Sequence, residues 1–405
     1  MSYMSLSTHV KRWAYYGFAN HSYQVVYVAF ILPIFFAGAF ARYHFALSAW
    51  GFATGVSTIL GVVLAIVLGN YADKTDKLRV YKISIILTCV GMCAMAFSTR
   101  LPLAMYILFI ITNALFIWSL ALYDSILPHV SDWSTVYEYG GFSWGFGYVG
   151  GIASLIIALI LQYFTGAYSM WVFLSVPAFY IIFSIYSLSG LESISFNEPL
   201  RPSLSEKRSA ELEYPNTPIL SVSRKVILFI GYWLISECVT VILIFDATYL
   251  SGEMHFSALK VGVVFLFVQL IGFPATWYGG RLERRFSGLT LLGVTILLWG
   301  IAIGLVTVFN VGVFGLIVAL CLMGLSIGNT QSYMRSQFAT FVPKKESGLQ
   351  FGVYSFVSEA AVIVGPVIYG FASDTLNSQK LPLIGLFVLM LVGYALVWKI
   401  TSVNK

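Results

Sequence analysis

The chain has 405 residues, of which 59% are hydrophobic and only 10% are charged, with a formal net charge of +6. Soluble domains carry about 25% charged residues, so this composition excludes an ordinary soluble globular protein. The net positive charge does not indicate a nucleic-acid partner, because the lysines and arginines follow the ends of apolar runs. These runs lack the alternation of barrel strands, which predicts a polytopic membrane protein built of helices.

Twelve apolar runs are long enough to cross a bilayer, so the predicted fold class is an all-α membrane protein with twelve transmembrane helices. In chain order, the predicted spans cover residues 14–40, 48–70, 81–98, 102–122, 140–163, 168–190, 225–248, 257–279, 288–308, 311–333, 349–372 and 381–400.

The positive residues concentrate on one side of these spans. Nineteen of the 23 lysines and arginines fall near the chain ends or in the connections after spans 2, 6, 8 and 10. The other four lie opposite and are Arg42, Arg100, Lys260 and Lys380. By the positive-inside rule, both termini are expected in the cytoplasm.

One long polar, proline-rich segment divides the chain. Residues 191–223 predict a flexible cytoplasmic linker between two six-helix bundles at residues 1–190 and 224–405. The two halves also repeat weakly, because Gly69 after span 2 recurs as Gly280 after span 8.

Span 7 contains an acid near its middle. At ~1.5 Å rise per residue, Glu237 lies roughly 17–20 Å from Arg224 at the start of the span, close to the bilayer midplane. A carboxylate there costs at least ~2.5 kcal/mol unless it is paired, hydrated or protonated. Glu359 in span 11 poses the same problem. Both are predicted to bind a proton or a solute in a watery cavity; the alternative is a protonated or hydrogen-bonded acid in a helix interface.

Span 1 carries a polar stripe at helical spacing. Such a stripe either lines a cavity or hydrogen-bonds neighbouring helices. Its members are predicted to line a solute cavity and are Tyr16, Asn20, Tyr23, Gln24 and Tyr27.

Other spans contain isolated polar residues. Neutral side chains that could hydrogen-bond a solute, or serve a structural role, are Asn113, Gln269, Asn329 and Gln331. Arg335 at the inner end of span 10 either holds an anionic group or extends its charged end to the membrane surface.

Several motifs in order resemble one transporter family. Span 1 reads WAYYGFANHSYQVVYVAF, and the region after span 4 reads YDSILP and then GGFSWGFGYVGG. Span 8 includes QLIGFPATWYGGRLERRF, and span 10 includes GLSIGNTQSYMRSQFATFVP. Over nearly its whole length, the chain is similar to the major facilitator superfamily, in the branch of the autophagy-linked vacuolar amino-acid effluxers and their bacterial relatives.

The resemblance implies two pseudo-symmetric bundles that expose a central site alternately to each side of the membrane. It implies a secondary active transporter for small solutes such as amino acids. The two buried acids, Glu237 and Glu359, predict protons as the coupling ion. The resemblance also implies a gating loop after span 2, in which Asp73 caps or pairs with the other half. The residues assigned to gating are Gly69, Asp73, Arg79, Asp124, Arg281 and Arg284.

The chain departs from the family pattern at identifiable positions. The acid of the first motif is replaced by Gly17, and the small residue expected farther along is replaced by His21-Ser22. In the connection after span 8, Arg284 stands where the family has an acid. In span 11, Ser358-Glu359 replaces a glycine-lysine pair.

Other functions remain as alternatives. The runner-up is an exporter of drugs or of larger metabolites such as metal-chelating siderophores, and a different class is a channel or a non-transporting receptor. No catalysis, cofactor or metal site is predicted, because the chain has no Walker loop and its five histidines are scattered. We expect a monomer in the bacterial inner membrane, with lipid, solute and protons as partners.

Overall fold

The computed structural model describes residues 8–39, 46–131, 135–166, 169–192, 222–252, 258–282, 285–307, 312–343, 346–376 and 380–402. Within these ranges every regular element is helical. Most of the predicted linker and the side chains of Glu359 and Arg284 lie outside the described part.

Twelve continuous helical runs correspond to the twelve predicted spans. The first run consists of α1, a π-helical segment and α2, which follow one another without a break. The elements are α1 (Thr8–Ser22), the π segment (Tyr23–Ile31), α2 (Leu32–Ala39), α3 (Ala46–Lys74), α4 (Lys77–Phe97), α5 (Pro102–Val130), α6 (Val136–Thr165), α7 (Met170–Leu188), α8 (Val222–Gly252), α9 (Ala258–Leu282), α10 (Gly288–Thr307), α11 (Gly312–Ala339), α12 (Ser347–Leu376) and α13 (Lys380–Ser402).

Many of these helices expose apolar side chains on their outer faces. Nine of them, counted among the described residues, are long and apolar enough to cross a membrane. Ile86, Leu297 and Val388 are each about half exposed or more. Since solvation by lipid suits such surfaces, they are consistent with a helical membrane protein.

Local sequence sets where several helices begin. Asp76 precedes α4 and accepts the backbone N–H of Arg79 through its carboxylate at 3.0 Å. Ser169 caps α7 in the same way, and Pro102 begins α5, where its missing N–H is not needed.

The described chain packs into two compact units. Unit 1 contains the described parts of Met1–Trp133, Phe146–Tyr214 and Val342–Phe356. In it α1 packs on α7, α3 packs on α5, and α4 packs on both α5 and α7. Its interior is aromatic: Trp13 stacks on Tyr123 with 4.8 Å between ring centroids.

Unit 2 contains the described parts of Ser134–Gly145, Pro215–Phe341 and Val357–Lys405. In it α8 packs on α13, and α11 packs on both α9 and α10. Both units therefore include short segments beyond the predicted halves, and a domain division at the linker stays a prediction.

Candidate functional site

The polar stripe of the first helical run is buried in unit 1. Tyr16, Tyr23 and Tyr27 are all fully buried. The Tyr16 hydroxyl lies 2.6 Å from that of Ser119 on α5 and 2.9 Å from that of Tyr180 on α7. These contacts fit the hydrogen-bonding alternative that the sequence left open. A role of the stripe toward solute stays a prediction.

A second network in unit 1 joins three helical runs. The Tyr23 hydroxyl donates to Asn113 Oδ1 at 3.2 Å, and Asn113 Nδ2 donates to Ser57 Oγ at 2.8 Å. Tyr23 begins the π segment, and π-helical turns occur frequently at functional sites. Asn20, one turn earlier, is also buried, whereas Gln24 is half-buried.

Glu237 is the middle residue of α8 and is 4% exposed. Its carboxyl group lies against Gly365 of α12, where a Cβ atom would overlap Oε2. Among the described residues, the backbone of Gly365 and the indole of Trp233 one turn earlier lie beside the carboxyl group, but neither meets the geometry of a full hydrogen bond to it. The structure therefore brings a buried acid into unit 2 without a hydrogen-bonded partner in its described surroundings.

Other predicted polar residues of unit 2 lie on α9 and α11. Asn329 Nδ2 donates to the carbonyl oxygens of Leu325 at 2.8 Å and Ala275 at 3.2 Å, so Asn329 links these two helices. Gln269 and Gln331 are half-buried. Their contact with solute stays a prediction.

In unit 1, the end of α3 meets the start of α12 at what we call the α3–α12 seam (Gly69, Asp73, Lys77 and Ser347–Leu349). Asp73 Oδ1 accepts the backbone N–H of Gly348 at 2.9 Å, and Oδ2 accepts that of Leu349 at 2.8 Å. Lys77 Nζ lies 2.8 Å from Asp73 Oδ1 and also donates to the Ser347 hydroxyl. Asp73 thus caps a helix that comes from a distant part of the chain.

Backbone proximity in this seam depends on glycine. A Cβ atom at position 69 would overlap the Gly348 carbonyl oxygen, and one at position 348 would lie 2.5 Å from the Gly69 carbonyl oxygen. Both positions must therefore lack a side chain for α3 and α12 to approach this closely.

In unit 2, the start of α6 meets α9 and α11 at what we call the α6 seam (Glu138, Gly140–Trp144, Thr276, Gly280, Arg281 and Arg335). Arg281 Nε lies 3.5 Å from Glu138 Oε1. Glu138, in the first turn of α6, was not among the predicted residues, and its buried position could not be read from an acid near a helix start. A Cβ at position 141 would lie 2.7 Å from the Thr276 carbonyl oxygen, so glycine permits close approach here too.

Arg335 belongs to the α6 seam and is 2% exposed. Its Nη2 donates to the Gly140 carbonyl oxygen at 2.9 Å and to Ser143 Oγ at 3.3 Å. Its guanidinium carbon lies 4.9 Å from the Trp144 ring centroid. The charged end is therefore buried against α6 and does not extend to a surface, which removes one of the two predicted roles.

The remaining gating residues fall in different settings. Arg79 is exposed, and its backbone N–H completes the cap of α4. Asp124 is buried on α5. Their gating roles stay predictions. The described residues hold no group of three or more His, Cys, Asp and Glu side chains that could bind a metal ion.

Comparison with known proteins identifies the family. The model of the Major Facilitator Superfamily matches residues 17–366, which is most of the chain. The chain is 22% identical over 399 residues to the uncharacterized MFS-type transporter YxiO of Bacillus subtilis, covering 94% of this chain and 92% of that one. It is 23% identical over 197 residues to autophagy-related protein 22-1 of Phaeosphaeria nodorum, covering 44% of this chain and 34% of that one.

Solved structures share the fold at low sequence identity. A bacterial homologue of the iron transporter ferroportin in an outward-facing state has a TM-score of 0.74 at 13% identity, with 98% of this chain and 100% of that chain covered. The human organic anion transporter MFSD10 (TETRAN) has a TM-score of 0.72 at 13% identity, with 96% and 99% covered.

The predicted all-α membrane fold, the predicted family and the absence of an enzymatic role are confirmed by these matches. The chain is an integral, multi-pass membrane protein that resides in a lipid bilayer and carries a small molecule across it. It belongs to the major facilitator superfamily of secondary transporters.

Proposed function

We propose that this transporter moves a small zwitterionic or cationic solute, such as an amino acid, by alternating access coupled to protons. Glu237 carries this proposal. It is the middle residue of a membrane-spanning helix, it is buried, and its carboxyl oxygens have no hydrogen-bond partner among the described residues.

The energetic argument starts from the cost of burying a carboxylate. An ionised group in a membrane interior costs at least ~2.5 kcal/mol unless something compensates it. A proton removes the charge, and a cationic group of a solute neutralises it. Glu237 therefore suits a site that exchanges these two ligands, which is the requirement for coupling a solute to a proton gradient.

The solute class rests on the sequence resemblance together with this acid. The effluxer branch that the chain resembles implies amino acids, and an ammonium group complements a carboxylate. The second acid, Glu359, is proposed to take part as well, and its side chain lies outside the described residues.

The two seams are proposed as the contacts that form and break during alternating access. Each one combines glycine-mediated backbone contact with a charged group at a helix start. Such contacts suit a gate, because their polar groups can be rehydrated when the helices separate.

We further propose that the protein resides in the bacterial inner membrane, that both of its termini lie in the cytoplasm, and that it is a monomer.

The first experiment finds the solute. Purified protein is heated in the presence of single amino acids, siderophores and cationic drugs, because a ligand that binds the folded state stabilises it by about 2.7 kcal/mol at a concentration of 100 times its Kd. We expect stabilisation by an amino acid. Stabilisation by siderophores alone would contradict the proposed solute class.

The second experiment tests coupling through Glu237. In proteoliposomes, uptake of the stabilising amino acid is expected to follow an imposed pH gradient and to stop when a protonophore is added. Glu237→Gln should retain the fold and lose the dependence of uptake on the gradient. Glu192→Gln is the matched control, because Glu192 is an exposed acid paired with Lys82.

Two results would contradict the proposal. One is wild-type uptake that ignores both the gradient and the protonophore. The other is a Glu237→Gln variant whose driven uptake equals that of the wild type and of Glu192→Gln.

A further inference from the structure

A histidine is buried in the first helical run, at a depth that matches a membrane interior. His21 lies next to the last residue of α1, just before the π segment. It lies seven residues past the predicted start of span 1 at residue 14, or roughly 10 Å along the helix at ~1.5 Å rise per residue. It is 9% exposed. Ionisable residues at such a depth are rare and mark a functional site by default.

The space for the imidazole is provided by a glycine on another helix. Gly147 of α6 lies against the ring, and a Cβ atom at position 147 would overlap it. The edge of the Tyr148 ring meets the imidazole at 5.7 Å between centroids. The histidine is therefore fixed by packing in unit 1.

The hydrogen bonds of one ring nitrogen determine which nitrogen carries the proton in the neutral ring. His21 Nδ1 lies 2.9 Å from the Gly17 carbonyl oxygen and 2.9 Å from Asn20 Oδ1. A carbonyl oxygen can only accept, so Nδ1 must be the donor. The neutral imidazole is consequently protonated at Nδ1, and Nε2 is the atom that takes up a further proton.

Protonation at Nε2 leaves this arrangement intact. An imidazolium still donates from Nδ1, so the bonds to Gly17 and Asn20 persist in both states. The site can therefore gain and lose a proton without rearranging its described hydrogen bonds.

Several phenols lie around this part of α1. Tyr148 faces the imidazole from α6. Tyr180 from α7 and Tyr123 from α5 face Tyr16, which lies earlier on α1. A phenol ordinarily titrates near pH 10, at about three pH units above neutrality, so these groups stay neutral where a histidine changes charge.

We propose that His21 is a proton-binding residue of the transport cycle, with Nε2 as the atom that titrates. This places a proton site in unit 1 in addition to the one proposed at Glu237 in unit 2. Its part in transport rests on the proposed proton coupling, whereas its titration can be measured without transport.

The test uses the purified full-length protein with isotope-labelled histidine. Nitrogen chemical shifts report both the tautomer and the protonation of each ring, and His21→Asn identifies the His21 signals by their loss. Asparagine is chosen because its amide N–H can replace Nδ1–H toward Gly17. We expect a neutral form protonated at Nδ1 and a titration between about pH 5 and 8.

A second variant and a transport measurement complete the test. Gly147→Ala should displace the ring and change its titration, which also assigns the signals if His21→Asn does not fold. In proteoliposomes, His21→Asn should lower gradient-driven amino-acid uptake by a larger factor than it lowers solute exchange at equal pH.

The outcomes separate this inference from the proposed function. A neutral ring protonated at Nε2, or His21 signals that stay constant over the tested pH range, would overturn the His21 assignment even if uptake follows the pH gradient. A wild-type protein whose uptake ignores the gradient would instead refute the proton coupling, and with it the transport role of His21.

Discussion

The α3–α12 seam and the α6 seam use different helices to place an acid at a helix start. In the first, Asp73 belongs to α3 and its two oxygens accept backbone N–H groups of α12. In the second, Glu138 belongs to the first turn of α6 itself and pairs with Arg281 of α9. Both arrangements put negative charge where a helix macrodipole is positive, which is favourable.

The difference predicts how each contact responds when its helices separate. Separating α3 from α12 removes the acid from the helix it caps, and two backbone N–H groups lose their acceptors. Separating α6 from α9 leaves Glu138 on its own helix and breaks its ion pair with Arg281 and the ring contact between Phe142 and Trp277. We therefore expect the α3–α12 seam to be the stronger of the two, and three changes test this ranking.

The largest effect is expected from Gly69→Val. The added side chain would overlap the Gly348 carbonyl oxygen, and overpacking of this kind costs roughly 1–3 kcal/mol before the loss of the cap is counted. Hydrogen exchange of the backbone amides of Gly348 and Leu349 should become much faster. Gly55→Val is the matched control on the same helix, because a Cβ there meets no atom within 4 Å. Equal exchange in the two variants would refute the close approach.

The next effect is expected from Asp73→Asn. The neutral amide retains one acceptor oxygen but loses the charge that strengthens both hydrogen bonds and the pairing with Lys77. A loss of about 1–2 kcal/mol corresponds to roughly 5- to 30-fold faster exchange at the start of α12. Mass spectrometry of peptides that cover residues 346–352 measures it. Unchanged exchange relative to Glu192→Gln would show that charge contributes nothing to this cap.

The smallest effect is expected from Glu138→Gln. The Arg281–Glu138 distance of 3.5 Å indicates an ion pair without tight hydrogen bonding, and Arg281 is partly exposed. Glu138 is buried, but glutamine removes its charge and the partly exposed Arg281 can be hydrated, so the loss should stay at about the 0.2–1 kcal/mol of exposed pairs. The melting temperature should therefore fall slightly, and exchange at the start of α12 should not change. A loss as large as that of Asp73→Asn would reverse the proposed ranking of the seams.

The sequence predicted the helical fold well because apolar length is a local property. All twelve predicted spans correspond to helical runs, yet several helices extend beyond them. The span predicted at 102–122 is part of α5, which continues to Val130. The apolar run determines how much of a helix can lie in lipid, but the helix itself ends where its capping and hydrogen bonding end.

The candidate site was only partly predictable, since its residues meet through tertiary contacts. Spacing was enough to indicate Glu237 as a mid-membrane acid. It placed Asp73 in a loop after span 2, whereas the structure shows Asp73 within α3, which continues to Lys74 before α4 begins at Lys77. Spacing could not reveal that Glu138 meets Arg281, or that His21 fills the space beside Gly147. The polar stripe of span 1 was predicted from the residue spacing of an α-helix. The π segment that begins at Tyr23 has a different spacing, so it changes which residues share a face.

The contact between His21 and Gly147 also has a consequence for the evolution of this chain. The two positions share one volume, so an imidazole at one requires a bare backbone at the other. A chain with a small residue at position 21 would have room for a methyl group at position 147. With that methyl group present, a histidine at position 21 would overlap it. Position 147 must therefore become glycine before position 21 can become histidine.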